Sequence, residues 1–401
     1  MFSRLVRRVS RLRAFVALAV SLMMATALGV AVVPGTAGAA KLSGAPIIVG
    51  NIGPYTSTAL GPEERDLAAT PTAWVDWTNA HGGINGHPVK LIEMNDNFDP
   101  GQAVTDIHKL VADKIVALVY DEDIGLEVAY TPYLQQQGIP VVGGQNYDTI
   151  WEQNSDLFPT MATVSFKGYA DDYAAKFAHI KTLAEAYCTE VAACLQDVQA
   201  QKAAASQLGI TVDIGPSASI AAPNYTAQCV ALSSYHAQGY YFSAGVQGVE
   251  QMALDCARQG FKGTWVLPQP DDTELQNAAL SKFTVGQDLS LSYFAKLPQT
   301  KDFRSAMAKY ASGVPLQINS LRIWSAFDVF KQALINEKGK TVTPQVVTAG
   351  LYKLHNFSDH GLVPPLTYQK GQGHKIKCFE VWEIKNGKFI LPQGDHFNCA
   401  P

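Results

Sequence analysis

The feature that most constrains this 401-residue chain is the alternation of short apolar runs with helical periods from residue 46 onwards. Pro46-Ile47-Ile48-Val49-Gly50, Val89 to Met94, Ile115 to Tyr120 and Ile139-Pro140-Val141-Val142 read as buried strands. Between them, Ala73, Trp74, Trp77 and Ala80 recur at helical spacing, as do Val104, Ile107, Leu110 and Val111. Val128 to Gln137 reads as a further helix, stopped by Gly138. Such a β-α-β-α-β rhythm builds a parallel sheet with helices on both faces.

The stretch HGGINGHPVKLIEMNDNFDP, residues 81 to 100, joins two of these helices through one strand. Thr70-Pro71 predicts the start of the first helix, with Thr as cap and Pro in the first turn. Gly82 suits the left-handed residue that ends it. Asn85-Gly86 predicts a tight turn, and Asp99 caps the following helix. The rhythm resumes after a join near 160–166. Gly168 to Leu183, Ala192 to Leu208, Tyr225 to His236 and Val249 to Gln259 read as helices, and 209–212, 239–244 and 263–267 as strands. Asn319 to Glu337 predicts a long helix with Leu321, Trp324, Phe327, Phe330 and Leu334 inward. Residues 378–384 alternate, Asn386-Gly387 turns and 388–390 return, an antiparallel hairpin. A chain this long exceeds one core and implies two domains.

The first forty residues are a separate object. Arg4, Arg7, Arg8, Arg11 and Arg13 precede an apolar run from Ala14 to Val33, and small residues follow through Ala40. This is the pattern of a cleaved secretory signal peptide. Its removal takes five of the 31 basic residues and none of the 35 acidic ones, so the charge of −4 becomes −9. That balance argues against nucleic acid and anionic lipid as partners. Six cysteines, all beyond the leader, read as disulfides in an exported chain. Six allow 15 connectivities; the expectation is nearest-neighbour pairing, Cys188 with Cys194, Cys229 with Cys256 and Cys378 with Cys399. Neither C-x-x-C nor matched histidine spacing supports a metal, and no G-x-S-x-G, H-E-x-x-H or P-loop supports an enzyme.

The run Trp77-Thr78-Asn79-Ala80-His81-Gly82-Gly83-Ile84-Asn85-Gly86, then Asp96-Asn97-Phe98-Asp99-Pro100, behind a strand and Gly53-Pro54-Tyr55-Thr56, resembles the type I periplasmic binding proteins. Within them it is similar to the leucine/isoleucine/valine-binding proteins of ABC importers. Asn224-Tyr225-Thr226-Ala227-Gln228, Gly239-Tyr240-Tyr241-Phe242 and Gln259-Gly260-Phe261 fit the same order. The resemblance implies an α/β fold of two doubly wound parallel-sheet lobes on a multi-segment hinge, closing on a ligand in the cleft. The expected division is a leader at 1–40, one lobe at 41–162 and 288–357, and the other at 163–287 and 358–401.

Open parallel sheets place ligands at the carboxyl ends of their strands. The candidate site residues are therefore Tyr55 and Thr56; Asp121, Glu122 and Asp123; Gly143, Gln145, Asn146 and Tyr147; Tyr187 and Glu190; Val246 and Gln247; and Gln269. The family has small hydroxyl residues where Asp121-Glu122-Asp123 stand, to hold an amino acid's carboxylate. Three carboxylates there weigh against such a ligand; they either favour an amine or face water. The resemblance implies an exported, monomeric solute-binding protein, periplasmic or at the cell envelope. It would capture a small polar ligand, amino-acid-like, amide or amine, for an ABC permease, with no cofactor and no covalent chemistry. The rival reading is a sensory or partner-binding protein on the same fold with a degenerate cleft.

Overall fold

The computed structural model describes residues 42–57 and 62–401; the expected leader lies outside them. The chain first builds a sheet from β1 (Ile47–Gly53), β2 (Val89–Asn95), β3 (Leu118–Asp121), β4 (Val141–Gly144) and β5 (Leu157–Phe158). The strands are parallel, in the order β2-β1-β3-β4-β5. Between them run α1 (Pro62–Leu67), α2 (Ala69–Ala80), α3 (Pro100–Ala112), α4 (Thr131–Gln137) and α5 (Ile150–Gln153). Helix α6 (Val164–Phe177) then opens the second lobe. It leads into β6 (Thr182–Cys188), α7 (Ala192–Leu208), β7 (Thr211–Ala218), α8 (Thr226–Ser233), β8 (Gly239–Ser243), α9 (Val246–Arg258), β9 (Thr264–Leu267) and β10 (Phe283–Asp288). Their order, β7-β6-β8-β9-β10, is again parallel.

The chain next returns to the first lobe as α10 (Lys301–Tyr310), α11 (Ile318–Asn336) and α12 (Pro344–Leu351). Phe303, Leu321, Trp324, Phe327 and Phe330 share one core with Val49, Trp74, Val119 and Val142. Trp74 Nε1 donates to Asp328 Oδ1 at 2.9 Å and ties α2 to α11. Finally β11 (Cys378–Lys385), β12 (Phe389–Ile390) and β13 (Asn398–Cys399) add an antiparallel edge to β10. The lobes are thus joined by three crossings that lie side by side. Ala162 N donates to Leu289 O, and Thr163 N to Ile376 O. Three neighbouring strands of chain resist twisting more than one, yet still allow the lobes to rock.

The local grammar is largely as expected. Asn85 and Gly86 both have positive φ, and Ile84 and His87 exchange backbone hydrogen bonds across them, a mirror-image turn that Gly86 suits. The Asp99 side chain accepts from Gln102 N and caps α3. All three nearest-neighbour disulfides are formed.

Three expectations are corrected. Helix α2 begins at Ala69 with no side-chain cap, because α1 runs straight into it; Thr70 is a buried interior residue. The helix expected over 168–183 ends at Phe177, His179 takes a left-handed φ of 62°, and β6 follows. Its sequence, Thr-Leu-Ala-Glu-Ala-Tyr-Cys, carries helix formers, but hydrogen bonding to β7 and β8 on both sides overrides them. The C-terminal hairpin is formed as expected, and β10, unrecognised in the sequence, joins it to the parallel sheet. Leu362, Val363, Leu366, Tyr368 and Ile376 pack in the first-lobe core, so the chain re-enters the second sheet at Cys378 rather than at 358.

The second lobe also buries charge-bearing groups without compensation. Among the described residues, no carboxyl oxygen of Asp172 on α6 or Glu185 on β6 has a hydrogen-bond partner. Burial, then the neighbouring Asp171, pushes Asp172 up to about 9. Burial, then Asp172, lifts Glu185 well above the carboxylate range. Between an unfolded value near 4 and these folded ones, the native protein holds protons that the unfolded chain has released. Stability therefore falls as pH rises through that window. The isosteric Asp172→Asn is neutral throughout. It is expected to raise unfolding stability at pH 8 by roughly 1–3 kcal/mol and to leave it nearly unchanged at pH 4, as measured by urea denaturation.

Candidate functional site

Both sheets reverse their winding once, between β1 and β3 in the first lobe and between β6 and β8 in the second. A crevice opens outside the strand ends at such a reversal, because successive helices leave to opposite faces. The two crevices face each other. Phe98 follows β2, Ile124 follows β3, and Gln145 and Tyr147 follow β4. From the other side come Glu190 and Val191 after β6, Ile220 after β7, Val246 after β8, and Pro268 and Gln269 after β9. Together with Leu67 of α1 and Gln317, Ile318 and Asn319 at the start of α11, they line a cleft of ≈ 1030 Å³ including its mouth. The walls are largely apolar, and the Cys188–Cys194 disulfide forms part of one. The lips touch. A side chain on Gly125 would meet Val191, and Thr149 N donates to Gln196 Oε1 at 3.1 Å across the cleft.

Behind the first-lobe wall lies a buried polar chain. Glu122 Oε1 accepts from Gln145 Nε2 at 2.5 Å and from Asn319 Nδ2 at 3.2 Å. Arg322, one turn along α11, donates through Nη1 to Asn319 Oδ1 at 3.0 Å, Tyr147 Oη at 3.0 Å and Gln269 Oε1 at 3.2 Å. Its Nη2 donates to Asp288 Oδ1 at 3.0 Å. Tyr147 and Asn319 belong to the first lobe, while Gln269 and Asp288 belong to the second, so one guanidinium spans the interface. Burial opposes its charge, but its partners, Asp288 among them, hold it above its ordinary value.

The second-lobe floor is built round Lys167 of α6. Its three ammonium protons go to Asp171 Oδ2 at 2.6 Å, Asp197 Oδ1 at 2.7 Å and Tyr241 Oη at 2.7 Å. Burial again works against the charge, and the two carboxylates outweigh it. Asp197 Oδ2 is taken by Tyr241 at 2.6 Å and Ser243 at 2.8 Å.

Of the residues singled out in the sequence, Gln145, Tyr147, Glu190, Val246 and Gln269 line this cleft together. The rest stand elsewhere. Tyr55 is buried, donating to Asn51 Oδ1 at 2.5 Å, and Thr56 is exposed against Asn95. Gly143, at φ 72°, lies where a side chain would strike Ala326 of α11. Asn146 reaches the hinge, donating to Met161 O and Ala162 O. Tyr187 packs in the second-lobe core, and Gln247 is on the exposed face of α9.

The acidic loop neither lines the cleft nor faces water: Asp121, Glu122 and Asp123 are at most 1 % exposed. The Tyr130 hydroxyl oxygen lies within 2.9 Å of both Asp121 oxygens and of Asp123 Oδ2. One phenolic proton cannot serve three acceptors, so a carboxyl must carry a proton. Burial also raises Asp96 and Asp123 above the ordinary carboxylate range. Burial raises Asp121 to about 7 and Glu122 to about 8. The loop is a proton-sharing core cluster. Lys167, Asp197, Asn319 and Arg322 went unrecognised in the sequence. The one available signal was a single Arg in the otherwise uncharged run Ile318 to Phe327.

Comparison with known proteins places this geometry. A family model described as periplasmic binding protein matches residues 46–388. A Leu/Ile/Val-binding protein homolog of Brucella melitensis is 24% identical over 385 residues, 88% of this chain and 96% of the relative. A fatty acid ABC transporter substrate-binding protein from Thermomonospora curvata shares the fold with a TM-score of 0.77 at 16% identity, covering 90% of this chain and 94% of the other. A solute binding protein of an ABC transporter from R. palustris, in complex with benzoate, superposes with a TM-score of 0.72 at 16% identity, covering 86% and 95%.

Arg322 generates the next prediction. Arg322→Ala leaves Asp288 buried without its cation and is expected to cost about 3–5 kcal/mol in urea unfolding. Arg322→Lys keeps a charge but not the fork, and should cost clearly less. An Arg322→Lys that cost nothing would show that the planar donor set contributes nothing beyond its charge.

Proposed function

This chain belongs to the periplasmic binding protein family; from that premise we propose that it is exported and captures a small solute between its lobes for delivery to an ABC permease. The observation that carries the reading is the cleft at which the carboxyl-end loops of both sheets meet. Solute would enter the open form and be held as the lobes rock shut about the three crossings. The lips at Gly125 and Val191 and the Arg322–Gln269 hydrogen bond would then re-form around it. Gln145 and Tyr147 from the first lobe, and Glu190, Val246 and Gln269 from the second, are the proposed contacts.

The reading assigns the cleft no reaction. The leader pattern at 1–40 supports export, and the three disulfides suit an oxidising compartment. The apolar walls and the few polar groups on the floor suit a solute with an apolar body and one polar end. Delivery as a monomer to a permease follows from the family rather than from any surface of the chain.

A thermal-shift screen of small amphipathic solutes tests the proposal. A solute at 100 times its Kd stabilises by about 2.7 kcal/mol, roughly 5–10 °C for lobes of this size. A hit of that size supports capture in the cleft. A folded protein that no solute shifts, across a metabolite extract of the exporting cell, contradicts it.

A further inference from the structure

The charged groups that face the cleft are already occupied by the protein itself. Lys167 is the single Lys or Arg among the described lining residues, and its three protons are held by Asp171, Asp197 and Tyr241. A ligand carboxylate would therefore meet no available ammonium. The Arg322 guanidinium stands behind the lining, engaged with Tyr147, Asn319, Gln269 and Asp288.

The lining carboxylates are similarly engaged. Asp197 gives one oxygen to Lys167 and the other to Tyr241 and Ser243. Glu190 accepts from Ser219 Oγ, Ile220 N and Thr189 N. Asp271 caps the turn at 272–275 through Thr273, and Glu64 has interactions of its own. A ligand carboxylate would lose its hydration in an apolar-walled cleft without gaining a counter-charge; an ammonium would meet carboxylates that are already hydrogen-bonded, and it carries no acceptor for the Tyr147 hydroxyl.

Two neutral groups on the lining do have capacity left. Gln145 is 1 % exposed, its nitrogen is fixed on Glu122 Oε1, and its Oε1 has no partner among the described residues. Tyr147 Oη accepts from Arg322 Nη1, and no described group takes its own proton. Burial raises the Tyr147 hydroxyl above its ordinary value, so it remains a neutral donor. One side offers an acceptor and the other a donor.

We infer that the cleft selects an uncharged solute, an apolar body bearing a carboxamide- or hydroxyl-type group whose donor meets Gln145 and whose acceptor meets Tyr147, and rejects free carboxylates and amines. This rests on the solute-binding reading and names its ligand class. It separates this chain from relatives whose names give branched amino acids, a fatty acid or benzoate, all of them carboxylates.

The test is calorimetric titration at pH 7 with two matched triplets: 4-methylpentanamide, 4-methylpentanoate and isopentylamine; and benzamide, benzoate and benzylamine. Native mass spectrometry of protein purified from the exporting cell accompanies it. The expected result is an amide bound at least ~10-fold more tightly than the acid and amine of its triplet, or an uncharged co-purified solute. An acid or amine that binds as tightly as its amide overturns the inference. A flat panel with a co-purified carboxylate or amine also overturns it, while leaving solute binding intact. No bound solute in either experiment overturns both. Gln145→Met should weaken the amide about 10-fold and shrink its advantage over the acid; an unchanged ratio removes Gln145 from the site.

Discussion

One buried guanidinium holds the two halves of this molecule to each other. Arg322 draws an acceptor from the loop after β4, one from its own helix, one from the loop after β9 and one from the last residue of β10. A planar fork of donors can satisfy acceptors in several directions at once, where a lysine offers a point charge. The consequence is structural and functional together. The helix that carries Arg322 belongs to the first-lobe core, so motion of the second lobe must break the bonds to Gln269 and Asp288 or carry them along. Opening of the cleft would act on this junction directly.

The polar chemistry around the cleft is arranged in closed circuits. On one side Glu122, Gln145, Asn319 and Arg322 form a chain that ends on Asp288. On the other Lys167, Asp171, Asp197, Tyr241 and Ser243 saturate one another. Buried ions are tolerated only when paired and hydrogen-bonded; Lys167 is paired with Asp171 and Asp197, and Arg322 with Asp288, so no cation of the described lining is left over for a ligand. Further from the cleft the rule is relaxed by protonation instead. Asp121 and Asp123 share protons with Tyr130, and Asp172 and Glu185 are kept neutral by burial. Both lobes are thereby biased towards acid rather than alkaline conditions.

Much of the fold was legible because strand–helix alternation is a local signal. The helix α11 and its inward stripe, the Asn85-Gly86 turn, the Asp99 cap and the three disulfide pairs follow from neighbouring residues. Strand β6 was not legible: Ala, Leu and Glu favour helix, and only pairing with β7 and β8 makes it a strand. The site divides in the same way. Gln145, Tyr147, Glu190, Val246 and Gln269 come from loops after strands, which topology alone selects. Lys167 and Asp171, four residues apart, carried no signal in the sequence; Asp197 and Tyr241 reach them only through packing. Three consecutive acids at 121–123 read as either amine-binding or water-facing and are neither, because Tyr130, Gln145 and Asn319, which hold them, arrive from other elements.

The measurement that tests this account most directly is small-angle scattering of the protein, first stripped of solute by denaturation and refolding with its disulfides intact, then titrated with a solute that raises its melting temperature. The account predicts an open form with a larger radius of gyration that contracts as the solute saturates, and an Arg322→Lys variant that needs more solute to reach the same contraction. A radius that stays constant while the solute binds would contradict closure of the lobes about the Arg322 junction.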